Sequence, residues 1–222
     1  MLRRGAAGHD PEIATRIVCA GADAARARRL AEDLLAAGAG ALVSFGVAGG
    51  LDPALGPGDV VLPEAVVAPG GAVLATDAAW RARVLDAASL EGLQPRGGGL
   101  AGSDQAVATV SAKRALFAAS GAVAVDMESH SVALAARAAG VPLLVLRAVI
   151  DPAGRALPKA VIGSIAPNGR ARTGLVTARL MLRPWETPQV HRLRRDMDAA
   201  LGALRALTRA LGPALTGYPD GP

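Results

Sequence analysis

Three acidic residues stand where an apolar segment gives way to something else. Asp126 and Glu128 flank Met127 where the run Ala122–Val125 meets an alanine-rich helical pattern, and Asp151 precedes Pro152 at the end of Pro142–Val149. Two carboxylates at a strand-to-helix junction either cap the helix, where the dipole favours them by about 0.3–1 kcal/mol, or bind a sugar. One acid, or Ser129, would suffice for the cap. Asp before Pro is ordinary turn chemistry, so Asp151 alone decides nothing. Arg147 narrows the choice. A guanidinium inside a buried strand requires a partner, and Asp126 or Glu128 can supply it.

A third feature is the run Gly46-Val47-Ala48-Gly49-Gly50, which follows the apolar Ala41–Phe45. Glycines let a backbone turn sharply or approach a ligand closely. The run is neither a dinucleotide fingerprint nor a P-loop, and Leu51-Asp52-Pro53 follows it rather than a helix start.

The elements that must hold these residues follow from periodicity and turn chemistry. Arg16–Ala20 reads as a strand, and Asp23 caps a helix that ends near Ala37. Ala41–Phe45 is a strand closed by the glycine run. Asp59–Ala68 is extended, with Pro63 marking a bulge or an edge. A helix runs from Asp77 to about Leu90, a flexible stretch begins at Gly97–Gly99, and Ser111–Ala119 is a short helix. Val123–Val125 is a strand, Ser129–Ala139 a helix, and Pro142–Val149 a strand of the type buried on both faces. Helices over about 174–182 and 188–211 complete the chain. In the last, Val190, Leu193, Met197, Leu201, Leu204 and Leu211 form one apolar face. Alternating strands and helices predict a single α/β domain over 1–222, whose ligand crevice lies beyond the carboxyl ends of its strands. Phe45, Val125 and Val149 mark three such ends.

Composition closes off several functions. The chain has 222 residues, 51% hydrophobic, with only 2% aromatic. That is enough for one substantial core and too few aromatic rings for a single-stranded nucleic-acid platform. No compact Lys/Arg cluster suggests nucleic acid. Cys19 is the only cysteine, which excludes an internal disulfide and fits a reducing cytoplasm. His9, His130 and His191 are scattered, so no metal site is expected. The longest strongly apolar run, Val141–Leu146, falls far short of the roughly 20 residues of a spanning helix. Net charge is +5, and residues 170–195 hold seven arginines. That stretch is either a solvated helix face or a patch for an anionic surface such as a membrane.

Taken in order, SFGVAGGLDPALGPGDVV, AGSDQAVAT, AVDMESHSVALAARAAGVP and VLRAVIDPA resemble the nucleoside phosphorylase and nucleosidase superfamily. Their wording is most similar to the hopanoid-associated phosphorylases, which remove adenine from an adenosyl-hopane intermediate. The resemblance covers residues 16–160 well and the basic part over 170–211 more loosely. It implies a three-layer fold, a central mixed and mostly parallel sheet flanked by helices, in a homo-oligomer that takes a small purine nucleoside. It also implies roles. Glu128 accepts hydrogen bonds from the ribose hydroxyls beside Met127. Asp151 protonates or hydrogen-bonds the leaving purine at N7. Gly46, Ala48 and Gly49 line base and sugar, and the segment of Asp104, Ala106 and Val107 touches the base. Glycosidic cleavage fits these assignments, because a fixed carboxylate stabilises an oxocarbenium-like sugar and a protonated acid neutralises the departing base. Burial beside Ile150 would raise the pKa of such an acid. Arg147 joins the substrate or ties down Asp126 or Glu128.

The sequence departs from the family in three places. Ser44 and Val47 occupy positions where its phosphorylases place Arg and Ser for phosphate, so hydrolysis stands beside phosphorolysis, with inorganic phosphate as the one co-substrate to consider and no other cofactor. Residues 1–15 match neither the family's first strand nor its glycine loop, which points to a replaced strand or a start assigned too far downstream. The aromatic that often stacks on the base is Ala106 or Val107. The leading reading is release of adenine from a 5′-substituted adenosine such as adenosylhopane, with membrane contact through the basic helices. Two others stand beside it: a nucleosidase or phosphorylase for soluble methylthioadenosine- or S-adenosylhomocysteine-like nucleosides, and a non-catalytic adenine-nucleoside binding remnant.

Overall fold

The computed structural model describes residues 15–166, 170–212 and 215; the atypical N-terminus expected over 1–15 therefore lies outside them, Thr15 excepted. In chain order the elements are α1 (Ala24–Ala36), β1 (Leu42–Gly50), β2 (Val60–Val61), β3 (Ala65–Val67), β4 (Val73–Ala75), α2 (Ala78–Leu90), β5 (Gly99–Gly102), α3 (Val110–Ser120), β6 (Ala122–Asp126), α4 (Ser129–Ala139), β7 (Leu143–Asp151), α5 (Thr173–Leu182), a 3₁₀ turn (Pro184–Glu186) and α6 (Thr187–Leu211).

The strands form one seven-stranded sheet in the order β2-β7-β1-β6-β5-β3-β4. The long β1–β7 pairing is parallel, as are β3–β5 and β5–β6, while the antiparallel contacts span only two or three residues each. β7 shows how the sequence builds the layers. Its side chains alternate across the sheet. Leu143, Val145 and Val149 join Ala31, Ala133 and Ala136 of α1 and α4 on one face. Leu144 and Leu146 join Trp80, Val84, Leu207 and Leu211 of α2 and α6 on the other. Leu144 and Leu146 are fully buried, each worth about 1.5–3 kcal/mol of transfer free energy. Both faces are covered, which explains why the strand reads as an unbroken apolar run.

Local chemistry sets the boundaries. Asp23, Asp77 and Thr109 accept hydrogen bonds from the backbone N–H three residues on, at 2.9, 2.7 and 3.1 Å, and so start α1, α2 and α3. Gly140 adopts φ 67° after α4, the left-handed geometry that ends helices.

Four expectations need correction. Arg16–Ala20 is not a strand: it joins no sheet, and Ile17 is 91% exposed. Its apolar residues have no neighbouring strand to pair with among the described residues, and propensity alone does not make a ladder. The glycine run is not a loop after Phe45, because β1 continues through it to Gly50. Asp59–Ala68 is broken at Pro63 into β2, paired with β7, and β3, paired with β4 and β5. Gly99–Gly102, expected to be flexible, is β5, and β4 was not expected at all. Short or glycine-rich strands carry little alternation to read.

Candidate functional site

β6, β1 and β7 bring their special residues together because of register. Gly49 of β1 sits opposite Val125 of β6 and Asp151 of β7, so the end of β1 lies between the two acid-bearing strand ends. The side chain missing at Gly49 matters. A Cβ there would lie 3.2 Å from Asp151 Oδ1 and 3.4 Å from Val125 Cγ1.

Beneath these ends lies a buried polar network. Asp126 accepts from the Ser129 N–H at 3.1 Å and from the Ser129 hydroxyl at 2.7 Å, which fixes the start of α4. Arg147 Nη2 lies 2.7 Å from Asp126 Oδ2 and donates to Ser44 Oγ at 2.7 Å and Ser129 Oγ at 2.9 Å. The guanidinium fits because its β1 neighbour is Gly46, where a Cβ would collide with Nη1. Asp126 thus holds the first N–H of α4 and pairs with Arg147 at once. Ser44 and Arg147, expected at the substrate, direct these polar groups into the scaffold that holds the next acid. Val47 packs with Ala148, Ala200 and Leu204 on the α6 face, and Ala48 lies in the core beside Val145 and Val149.

Glu128 immediately precedes α4 and is half-buried. Burial lifts its carboxyl above the ordinary value. The Arg147 charge opposes the rise, Asp126 adds to it, and the backbone N–H groups of Ala22 and Met127 hold it down. Ala22 has φ 59°, the only non-glycine described residue in that left-handed region, a conformation costing about 1–2 kcal/mol. Met127 is half-buried beside it. Asp104 is exposed and pairs with the buried His130, Nε2 to Oδ1 3.2 Å. His130 Nδ1 is buried without a partner among the described residues, and its ring fills the space that a side chain at Gly102 would need. Ala106 is exposed, and Val107 packs against Leu51, Ala101 and Val125.

Asp151 is 4% exposed. Burial pushes its carboxyl above the ordinary range, against the lowering influence of Lys113 and Arg155. Lys113 is the residue that sequence reasoning missed. It is fully buried on α3, its ammonium bonds Asp151 Oδ2, and it donates to the carbonyls of Asp151, Pro152 and Arg155 at 3.1, 3.0 and 3.0 Å. It locks both the acid and the turn after it. The signal was present. Lys113 lies three and four residues before Leu116 and Phe117, hence on the apolar face of its own helix, where an unpaired cation would be prohibitive. Asp151 Oδ1 faces Gly49, 3.2 Å from where a Cβ there would stand.

The site therefore presents two acids with raised pKa values on either side of a glycine-lined strand end, Asp151 bonded by the buried Lys113 and Glu128 next to the Asp126–Arg147 pair. A cavity of about 330 Å³ on the outer side of α1, lined by Arg26, Arg29, Leu30, Glu32 and Asp33, contains none of these residues; the strand ends are the candidate site on chemical grounds.

A family model described as the phosphorylase superfamily matches residues 14–180. The chain belongs to the phosphorylase superfamily. Solved structures with the same fold include S-adenosylhomocysteine nucleosidase from Streptococcus pyogenes in complex with 5-methylthiotubericidin, 20% identical over 90% of this chain and 78% of that one, with a TM-score of 0.65. A futalosine hydrolase mutant of Helicobacter pylori is 19% identical, over 86% of this chain and 78% of that one, at 0.61. The 5′-methylthioadenosine/S-adenosyl homocysteine nucleosidase of Helicobacter pylori is 20% identical, over 85% and 76%, at 0.60. At these identities the likeness is one of fold. A search of curated protein sequences returned no match. As a member of this superfamily, the chain carries Glu128 and Asp151 on the shared scaffold.

Proposed function

We propose that the chain cleaves the N-glycosidic bond of a 5′-substituted adenosine and releases adenine, with adenosylhopane as the substrate that the sequence motifs favour. The reading rests on one observation: the half-buried Glu128 and the buried Asp151 stand at the ends of the two strands that flank β1, with the side-chain-free Gly49 between them. Glu128, ionised, accepts hydrogen bonds from the ribose hydroxyls and stabilises positive charge as it builds at C1′. The C1′–N9 bond breaks with its electron pair going to the base. Asp151 delivers its proton to N7, so adenine departs neutral. Met127 and Val107 supply apolar wall.

Water is the nucleophile we propose. Its oxygen bonds C1′ and its released proton restores the Asp151 acid through solvent, giving free adenine and a reducing sugar. The support is negative for phosphate: the Ser44 hydroxyl is engaged by Arg147 and Ser129, and Val47 faces α6. A soluble methylthioadenosine-like nucleoside is the second substrate reading, favoured by the nucleosidases that share the fold. We also propose a homo-oligomer, which sedimentation of the purified chain would test.

The deciding experiment incubates the protein with adenosylhopane, methylthioadenosine and adenosine, each with and without phosphate, and identifies the products by mass. Free adenine and a reducing sugar without phosphate are the expected result. A sugar 1-phosphate formed only when phosphate is present would replace water with phosphate. Binding of every nucleoside without release of any base would make the protein a binding module.

A further inference from the structure

The segment between β7 and α6 does not behave like the rest of the chain. α5 is a ten-residue helix, TGLVTARLML, rich in apolar side chains, yet none of its residues is buried. Met181 and Leu182 are each 79% exposed, and Trp185, just beyond, is 66% exposed. Ile162 and Ile165 before α5 are also exposed, and Arg179 of α5 donates to the Ile162 carbonyl. A helix normally forms in a protein because one face packs on a core. This one turns Met181, Leu182 and the following Trp185 outward.

Charge tells what kind of surface would cover them. Residues 153–198 carry nine basic side chains against three acidic ones, an excess of six, whereas the whole chain nets five. The positive charge of the protein is thus concentrated here. Two of the three acids are already used, Asp196 by Arg155 and Glu186 by Arg183. Arg172, Arg192, Arg194 and Arg195 are exposed and form no ion pair among the described residues. From Trp185 the helical spacing leads along one row of α6 through Gln189, Arg192 and Arg195, all exposed. Apolar tips and a tryptophan bordered by arginines match a lipid interface, where the ring sits among headgroups and the cations meet anionic lipid. Self-association through this face would set like charge against like charge.

We propose that this face, led by Met181, Leu182 and Trp185 and flanked by Arg192 and Arg195, docks peripherally on an anionic lipid bilayer. Among the described residues no helix is long and apolar enough to cross a membrane, so the contact is interfacial. The proposal is independent of the catalytic reading.

Vesicle flotation of the full chain tests it, using pure phosphatidylcholine vesicles and vesicles of equal parts phosphatidylcholine and phosphatidylglycerol. The wild type floats with the anionic vesicles, releases in high salt, and stays behind with the neutral ones. Trp185 emission shifts to the blue on binding, while Trp80, 1% exposed, contributes an unchanged background. Each arginine at the surface contributes about fivefold in partition, so Arg192→Gln/Arg195→Gln loses roughly 25-fold. Met181→Ser/Leu182→Ser/Trp185→Ser keeps the charge yet also loses flotation. Its circular dichroism and melting stay as in the wild type, because these side chains are not buried. Absence of wild-type binding to anionic vesicles would overturn the proposal. So would binding by the serine variant equal to the wild type, or a wild-type oligomer that this variant dissociates, which would assign the face to a second copy.

Discussion

Replacing Lys113 by Met separates a charge that serves Asp151 from one that merely fills space. The wild-type ammonium is fully buried, bonds the Asp151 carboxylate and donates to three carbonyls. Methionine fits the volume but leaves the acid without its counter-charge and the carbonyls without their donor. Removing one partner of a buried pair costs about 3–5 kcal/mol, a large part of a typical domain's roughly 5–15 kcal/mol. The cost depends on pH. Burial already raises the Asp151 pKa above 3.8, and Lys113 is the strongest influence opposing it. A carboxyl with a raised folded pKa holds more protons folded than unfolded, so stability falls as pH rises between the two values. Without Lys113 the folded pKa rises further and that window widens upward. The deficit of Lys113→Met is therefore smallest in acid and grows toward neutral pH. Urea unfolding from pH 4 to pH 8 measures it. Lys113→Met/Asp151→Asn, which buries no lone charge, should recover much of the loss at neutral pH. A deficit that is constant with pH, or a double variant no more stable than the single one, would refute the pairing argument.

Other consequences are as direct. Gly46→Ala drives a methyl into the Arg147 guanidinium and should cost at least the roughly 1–3 kcal/mol of an overpacked core, read by chemical denaturation. Arg147→Met strands Asp126 and should cost about 3–5 kcal/mol, with Arg147→Met/Asp126→Asn milder. The rate should be bell-shaped in pH. Glu128 must be ionised, so activity falls as pH drops through its raised pKa, and Asp151 must be protonated, so activity falls as pH climbs through its own. Glu128→Gln should abolish the acid limb and lower kcat/KM by about 10²-fold or more.

The long buried strand β7 and the helices around it were legible because their periodicity is local. Residues 129–139 and 188–211 agree with the observed helices within one residue. The double duty of Asp126 was half legible, since capping is a short-range signal and the Arg147 pair requires only that two buried opposite charges meet. What failed depends on neighbours in space. The Arg16–Ala20 run has strand propensity but no ladder to join, and β5 is a strand only because β3 and β6 flank it. Lys113 lies 38 residues from Asp151, and only the fold brings α3 beside the end of β7. Ser44 shows the reverse case. A position that matched a ligand contact in the motif is engaged by Arg147 and Ser129 in this chain.

In the proposed reaction Asp151 gives its proton to the leaving base. Single-turnover release of adenine from a 5′-substituted adenosine, compared between wild type and Asp151→Asn with the nucleoside affinity of both measured by calorimetry, checks that transfer. Asp151→Asn is expected to bind within a fewfold of wild type and to release adenine about 10²–10⁴ times more slowly. Equal release rates in the two proteins would contradict it.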